Sequence, residues 1–111
     1  MQETLTRKSG GAEGSTPHAE AMIVYLRPED GGRKMAPASG YRGQFHYDGA
    51  DWDAIQSFNA PTARLGEPVE AYLRFCNPSA HRGRLQVGTA FEIREGPRIV
   101  GRGLITQVGV F

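Results

Sequence analysis

The amino-acid sequence predicts an all-β chain, a small closed six-stranded antiparallel β-barrel, and three observations lead there. Short runs alternate apolar and polar residues with period two, which sends neighbouring side chains to opposite faces of a strand. Clusters of Gly, Pro, Asn and Asp separate these runs roughly every 8–15 residues, the punctuation of tight turns. The helix signals of 3.6-residue periodicity and terminal caps are missing, with one ambiguous stretch around Asp51–Phe58 that also reads as a strand. About six short strands describe either a sandwich or a closed barrel. In 111 residues there are few other ways to hide sheet edges, which favours closure.

The elements follow in order. Residues 1–18 are rich in Gly, Ser, Thr and charge, with Leu5 as the one large aliphatic side chain. Such a stretch buries too little surface to offset its ordering entropy, so a disordered tail is expected over 1–18 and the barrel over 19–111. Ala21–Arg27 is apolar and β-branched enough for a strand, and Pro28-Glu29-Asp30-Gly31-Gly32 is a turn. Tyr41–Asp48 alternates, with Tyr41, Gly43, Phe45 and Tyr47 on one face and Arg42, Gln44, His46 and Asp48 on the other. Trp52–Phe58 is a shorter strand candidate. Val69–Cys76 places Val69, Ala71, Leu73 and Phe75 inward and Glu70, Tyr72 and Arg74 outward, and Asn77-Pro78 ends it. Thr89–Arg94 turns Phe91 and Ile93 inward. Glu95-Gly96-Pro97-Arg98 is a tight turn into a last segment, Ile99–Phe111, of one or two strands. Gly101 and Gly103 suit a bend or bulge where a barrel turns a corner.

Composition bounds the function classes. With 39% hydrophobic and 23% charged residues the chain has the make-up of a soluble globular protein. No run of apolar residues is long enough for a transmembrane helix. Arg7, Lys8, Glu13 and Glu20 break up any secretory leader. The single Cys76 rules out an internal disulfide and suggests a reducing compartment, so a cytoplasmic location without membrane attachment is expected.

Charge is uneven. From His81 onward five arginines (Arg82, Arg84, Arg94, Arg98, Arg102) face two acids (Glu92, Glu95), a net of +3 against −2 for residues 1–80. Such a segment suits phosphate binding, but charged residues on exposed strand faces are the favoured explanation. Metal or nucleophilic chemistry finds no constellation. His18, His46, His81 and Cys76 stand singly, without zinc or haem spacing, and Cys76 reads as an inert outward thiol near Arg74. Asp51 and Asp53 share a strand face yet lack a companion acid–base group, which makes them a solvated edge. Trp52 between them is either a core anchor or a recognition residue, with the core favoured. No enzyme is expected, and no cofactor.

Several segments carry a family resemblance. Glu29-Asp30-Gly31-Gly32-Arg33, then Gly40-Tyr41-Arg42-Gly43-Gln44-Phe45, then Phe91-Glu92-Ile93-Arg94-Glu95-Gly96-Pro97-Arg98-Ile99-Val100-Gly101-Arg102-Gly103 with Ile105-Thr106 resemble, in order, segments of the C-terminal domain (domain III) of elongation factor Tu. There they read roughly EEGGR, YRPQF and FAIREGGRTVGAGVVT. Leu65-Gly66-Glu67-Pro68-Val69 is similar to the turn that precedes a strand in that domain. The resemblance spans about Glu20 to Val108 and implies a six-stranded antiparallel barrel. It also implies no GTP binding by this chain, which lacks the G-x-x-x-x-G-K-[ST] loop.

Domain III of that family contacts the T-stem of aminoacyl-tRNA and also meets protein partners. The resemblance maps tRNA-contacting positions onto Gln44 and Glu95-Gly96. A glutamate there would accept from a ribose hydroxyl or a minor-groove amino group, and a glycine would let the backbone approach. A plain strand face and hairpin turn explain the same residues. Arg42, Arg94 and Arg98 complete the candidates for RNA or partner binding. Departures weigh against tRNA: the family's threonine-bearing stretch is replaced by His46-Tyr47-Asp48-Gly49-Ala50-Asp51-Trp52-Asp53, whose aspartates repel phosphate. The expected function is a protein-interaction module linked to translation, with weak binding of tRNA or another structured RNA as the alternative.

Overall fold

Six strands close on themselves in the computed structural model, which describes residues 16–109. They are β1 (Ala19–Tyr25), β2 (Gln44–Tyr47), β3 (Ala50–Ser57), β4 (Pro68–Phe75), β5 (Ala90–Glu95) and β6 (Arg98–Val108). Around the barrel the order is β1-β4-β3-β2-β5-β6, back to β1, and every pairing is antiparallel. The closed all-β barrel is the architecture expected from the strand pattern. Of the tail expected over 1–18, residues 1–15 lie outside the described residues. His18 is tied to the sheet: its amide donates to Leu73 O and its Nδ1 accepts from the Phe75 amide.

Two hairpins are set by residues with positive φ. Asp48 (φ 54°) and Gly49 (φ 77°) form a two-residue turn with the signs of type I′, whose twist suits adjacent strands, and Tyr47 pairs with Ala50. The ambiguous stretch around Asp51–Phe58 is therefore a strand, not a helix, and it begins at Ala50. At the β5–β6 hairpin, Gly96 (φ 62°) precedes Pro97, whose ring fixes a negative φ, the sign pattern of type II′.

The core forms along the inward alternation. Phe45 stacks on Phe91 at 4.3 Å between centroids and meets Phe75 edge-on at 5.1 Å. Gln56 is fully buried on the same inner face, and its amide is satisfied. Oε1 accepts from Tyr25 Oη at 2.7 Å, and Nε2 donates to Gly43 O at 3.0 Å. At one end the 3-10 turn Pro78–His81 brings the buried His81 ring against Phe75, Trp52 and Tyr47. Trp52 is half-buried and packs on this core.

β6 is one strand of 11 residues, not two. Its register slips opposite Ile93/Arg94 and again opposite Glu20/Ala21, so it bends around both neighbours. The first slip leaves Val100 as the extra residue beside Gly101, the position that the paired glycines suggested.

One inward–outward assignment needs correction. Tyr72 points outward in register yet is only 6% exposed. The chain leaving β3 folds over that patch, and Asn59 Nδ2 donates to the Tyr72 hydroxyl at 3.0 Å. Tyr72 lies between Glu20 of β1 and Ser57 of β3, both buried. A small second packing layer thus sits outside the barrel, which alternation along one strand does not reveal.

Candidate interaction surface

The six residues picked out in the sequence lie around the start of β2 and the β5–β6 hairpin. Gln44 faces Arg94 across the β2–β5 ladder, and Glu95, Gly96 and Arg98 follow at the hairpin. Glu95 is the centre of a network. Its carboxylate accepts from the Tyr41 hydroxyl and the Arg33 guanidinium, while Arg98 Nη2 reaches it at 3.3 Å. Arg33 also lies over the Tyr41 ring, 4.8 Å from its centroid. Partial burial opposes ionisation of Glu95, but the donors from Tyr41 and Arg33 outweigh it and hold the carboxyl below its usual pKa. Burial, helped by the adjacent Glu95 carboxylate, pushes the Tyr41 phenol up to about 12.

The surrounding cations are committed as well. Arg94 grips Glu92 through Nε (2.9 Å) and Nη2 (2.6 Å). Arg84 pairs with Asp48 at 2.8 Å and lies over the Tyr47 and Trp52 rings. Arg42 donates to Cys76 Sγ at 3.3 Å, so it is Arg42 that engages the exposed thiol. Gln44 donates to Asp53 at 3.2 Å and His46 Nδ1 meets Asp51 at 2.6 Å, so each aspartate of the acidic stretch has its own partner. The candidate residues are brought together, but as a near-neutral lattice of ion pairs rather than a field of free positive charge.

Beside this lattice is a hollow of about 320 Å³ between Trp52, Asp53, Cys76, Asn77 and His81. Trp52 Nε1 and His81 Nε2 have no hydrogen-bond partner among the described residues and are closed off from solvent. Tyr47 Oη engages His81 Nδ1 at 2.6 Å. Burial and then the Arg84 charge lower the His81 pKa, which keeps the ring neutral near pH 7.

An open groove lies on the outer face of the strands, and the sequence reading missed it. A groove of about 790 Å³ crosses β4, β1, β6 and β5, with Pro68, Val24, Met22, Leu104 and Ala90 as its apolar floor. Met22 is 42% exposed and Leu104 52%, against the usual rule that solvated strand faces carry polar residues. Register explains the strip. Met22 sits beside Leu104, Leu104 beside Ala90, and Val24 beside Pro68 and Arg102. The signal was present in Ala21–Arg27, where Met22 and Val24 are apolar at the outward positions of an alternating strand.

No protein-family model matches the chain. The surface is therefore read from its own geometry. Among the described residues no group of three or more His, Cys, Asp or Glu is placed to hold a metal ion. None of their helices is long and apolar enough to cross a membrane.

Proposed function

We propose that this chain is a non-catalytic protein-interaction module, built on a barrel like domain III of elongation factor Tu, which engages its partner through the outer face of β1 and β6. The observation that carries this reading is the exposed apolar groove around Met22, Val24 and Leu104. Water contact with a continuous apolar strip is unfavourable, and such strips with polar rims are typical of protein docking sites. The resemblance in the Tyr41–Phe45 and Phe91–Gly103 segments supports a translation-linked role, since that domain meets other proteins in its family.

The ion-pair lattice favours a protein over an RNA partner. Phosphate binding draws on free cations and released counterions. Here Arg33 and Arg98 are held by Glu95, Arg94 by Glu92 and Arg84 by Asp48.

Affinity capture from nuclease-treated and untreated lysates of the producing cells tests the reading, with wild type and Leu104→Asp as baits. The expected result is a stoichiometric protein that survives nuclease and is lost with Leu104→Asp. Retention of tRNA or duplex RNA at low salt, with a protein catch that disappears on nuclease treatment, would establish the RNA alternative instead.

A further inference from the structure

The groove contains one charge that the rest of the barrel does not balance. Arg102 lies in its lining, exposed on β6, with no hydrogen bond or ion pair to any described residue. Its cross-strand neighbour Glu92 is taken by Arg94 through two contacts. Glu70, beside Met22 in register, is outside the groove lining and makes no ion pair with Arg102. The groove thus offers an apolar floor with a single uncompensated guanidinium, and the matching surface is apolar with a carboxylate.

Backbone chemistry selects the form of that surface. Under the groove Met22 and Val24 of β1 and Arg102 and Leu104 of β6 are each paired on both sides, so neither strand offers a free edge there for an added extended peptide. An extended segment laid across Met22 and Leu104 would leave amides facing apolar side chains, at a desolvation cost. An α-helix satisfies its own amides and presents only side chains. From Pro68 to Ala90 the floor crosses three strand spacings, about 14 Å, or nearly three helical turns.

We propose that this groove receives an amphipathic helix of a partner protein, with apolar residues at i, i+3 or i+4, and i+7 along the floor that runs from Pro68 past Met22, Val24 and Leu104 to Ala90, and an Asp or Glu against Arg102. The assignment rests on the protein-interaction reading and specifies its partner.

Selection of peptides from a displayed random library, with the full chain as target, tests it. Wild type is expected to enrich sequences with an acidic residue at helical spacing from apolar ones, and Arg102→Glu to shift the enriched charge to Lys or Arg. A peptide selected on wild type should bind Arg102→Glu about tenfold more weakly or worse, and Leu104→Asp about tenfold to a hundredfold more weakly. Both substitutions are at exposed positions, and unchanged circular dichroism of each variant shows that the barrel persists. Loss of binding in Leu104→Asp without any charge preference at Arg102 overturns the acidic helix while leaving a protein-docking face. Selected peptides indifferent to Leu104→Asp, or none at all, overturn both. A wild-type dimer in sedimentation that becomes monomeric in Leu104→Asp assigns the groove to a second copy and overturns the helix.

Discussion

Phe45 ties three rings of the core together, because those of Tyr47, Phe75 and Phe91 all pack on it. Phe45→Ala is expected to cost about 3–5 kcal/mol of stability, measured by denaturant unfolding. Gly49 shows a different cost. A Cβ there would meet nothing within 4 Å, so the penalty of Gly49→Ala comes only from its φ of 77° and should be about 1–2 kcal/mol. The Asp48-Gly49 pair is a strong hairpin signal, and it lies within the stretch that the sequence reading treated chiefly as negative charge. His81 was less accessible to reasoning of that kind. Its burial depends on Phe75, Trp52 and Tyr47, which other elements supply from distant parts of the chain.

At the scale of the element, β6 shows how a strand can be long and still fit a small barrel. Gly103 has no positive φ, yet a Cβ there would lie 2.5 Å from Phe91 Cζ and 2.6 Å from the Met22 carbonyl oxygen. The ring is a side chain that can shift, but the carbonyl belongs to the backbone of the neighbouring strand β1. Gly103→Ala is therefore expected to cost about 1–3 kcal/mol, read as a lowered denaturation midpoint. The paired glycines pointed to this strand as the place where the barrel bends. Alternation also gave the inward faces of β2 and β5 correctly, since each of them is solvated on one side. It failed at Tyr72 and overlooked the Met22–Leu104 strip for one physical reason: the outer face of a barrel is not uniformly wet, and what covers or exposes it comes from other segments.

For the whole molecule, the half-buried His18 and the buried His81 couple folding to pH. Burial lowers the pKa of His18, aided by Arg74, and that of His81, aided by Arg84. As pH falls below about 6.5 the unfolded chain takes up these protons before the folded one, so stability is complete above that pH and declines below it. Glu95, with its lowered pKa, adds a second decline at carboxylate pH. Denaturant unfolding between pH 7.5 and about 5.5 should show the first loss, and a His18→Gln/His81→Gln variant should flatten it. The barrel also determines what a partner meets at the groove, because pairing on both sides of β1 and β6 leaves side chains alone on that part of the outer surface. Amide hydrogen exchange on the captured complex tests that central claim most directly. Slowed exchange in β1 and β6 around Met22 and Leu104, with the Glu95–Arg98 hairpin unchanged, is the expected result. Protection confined to Gln44 and the hairpin, with β1 and β6 exchanging as in the free protein, would contradict it.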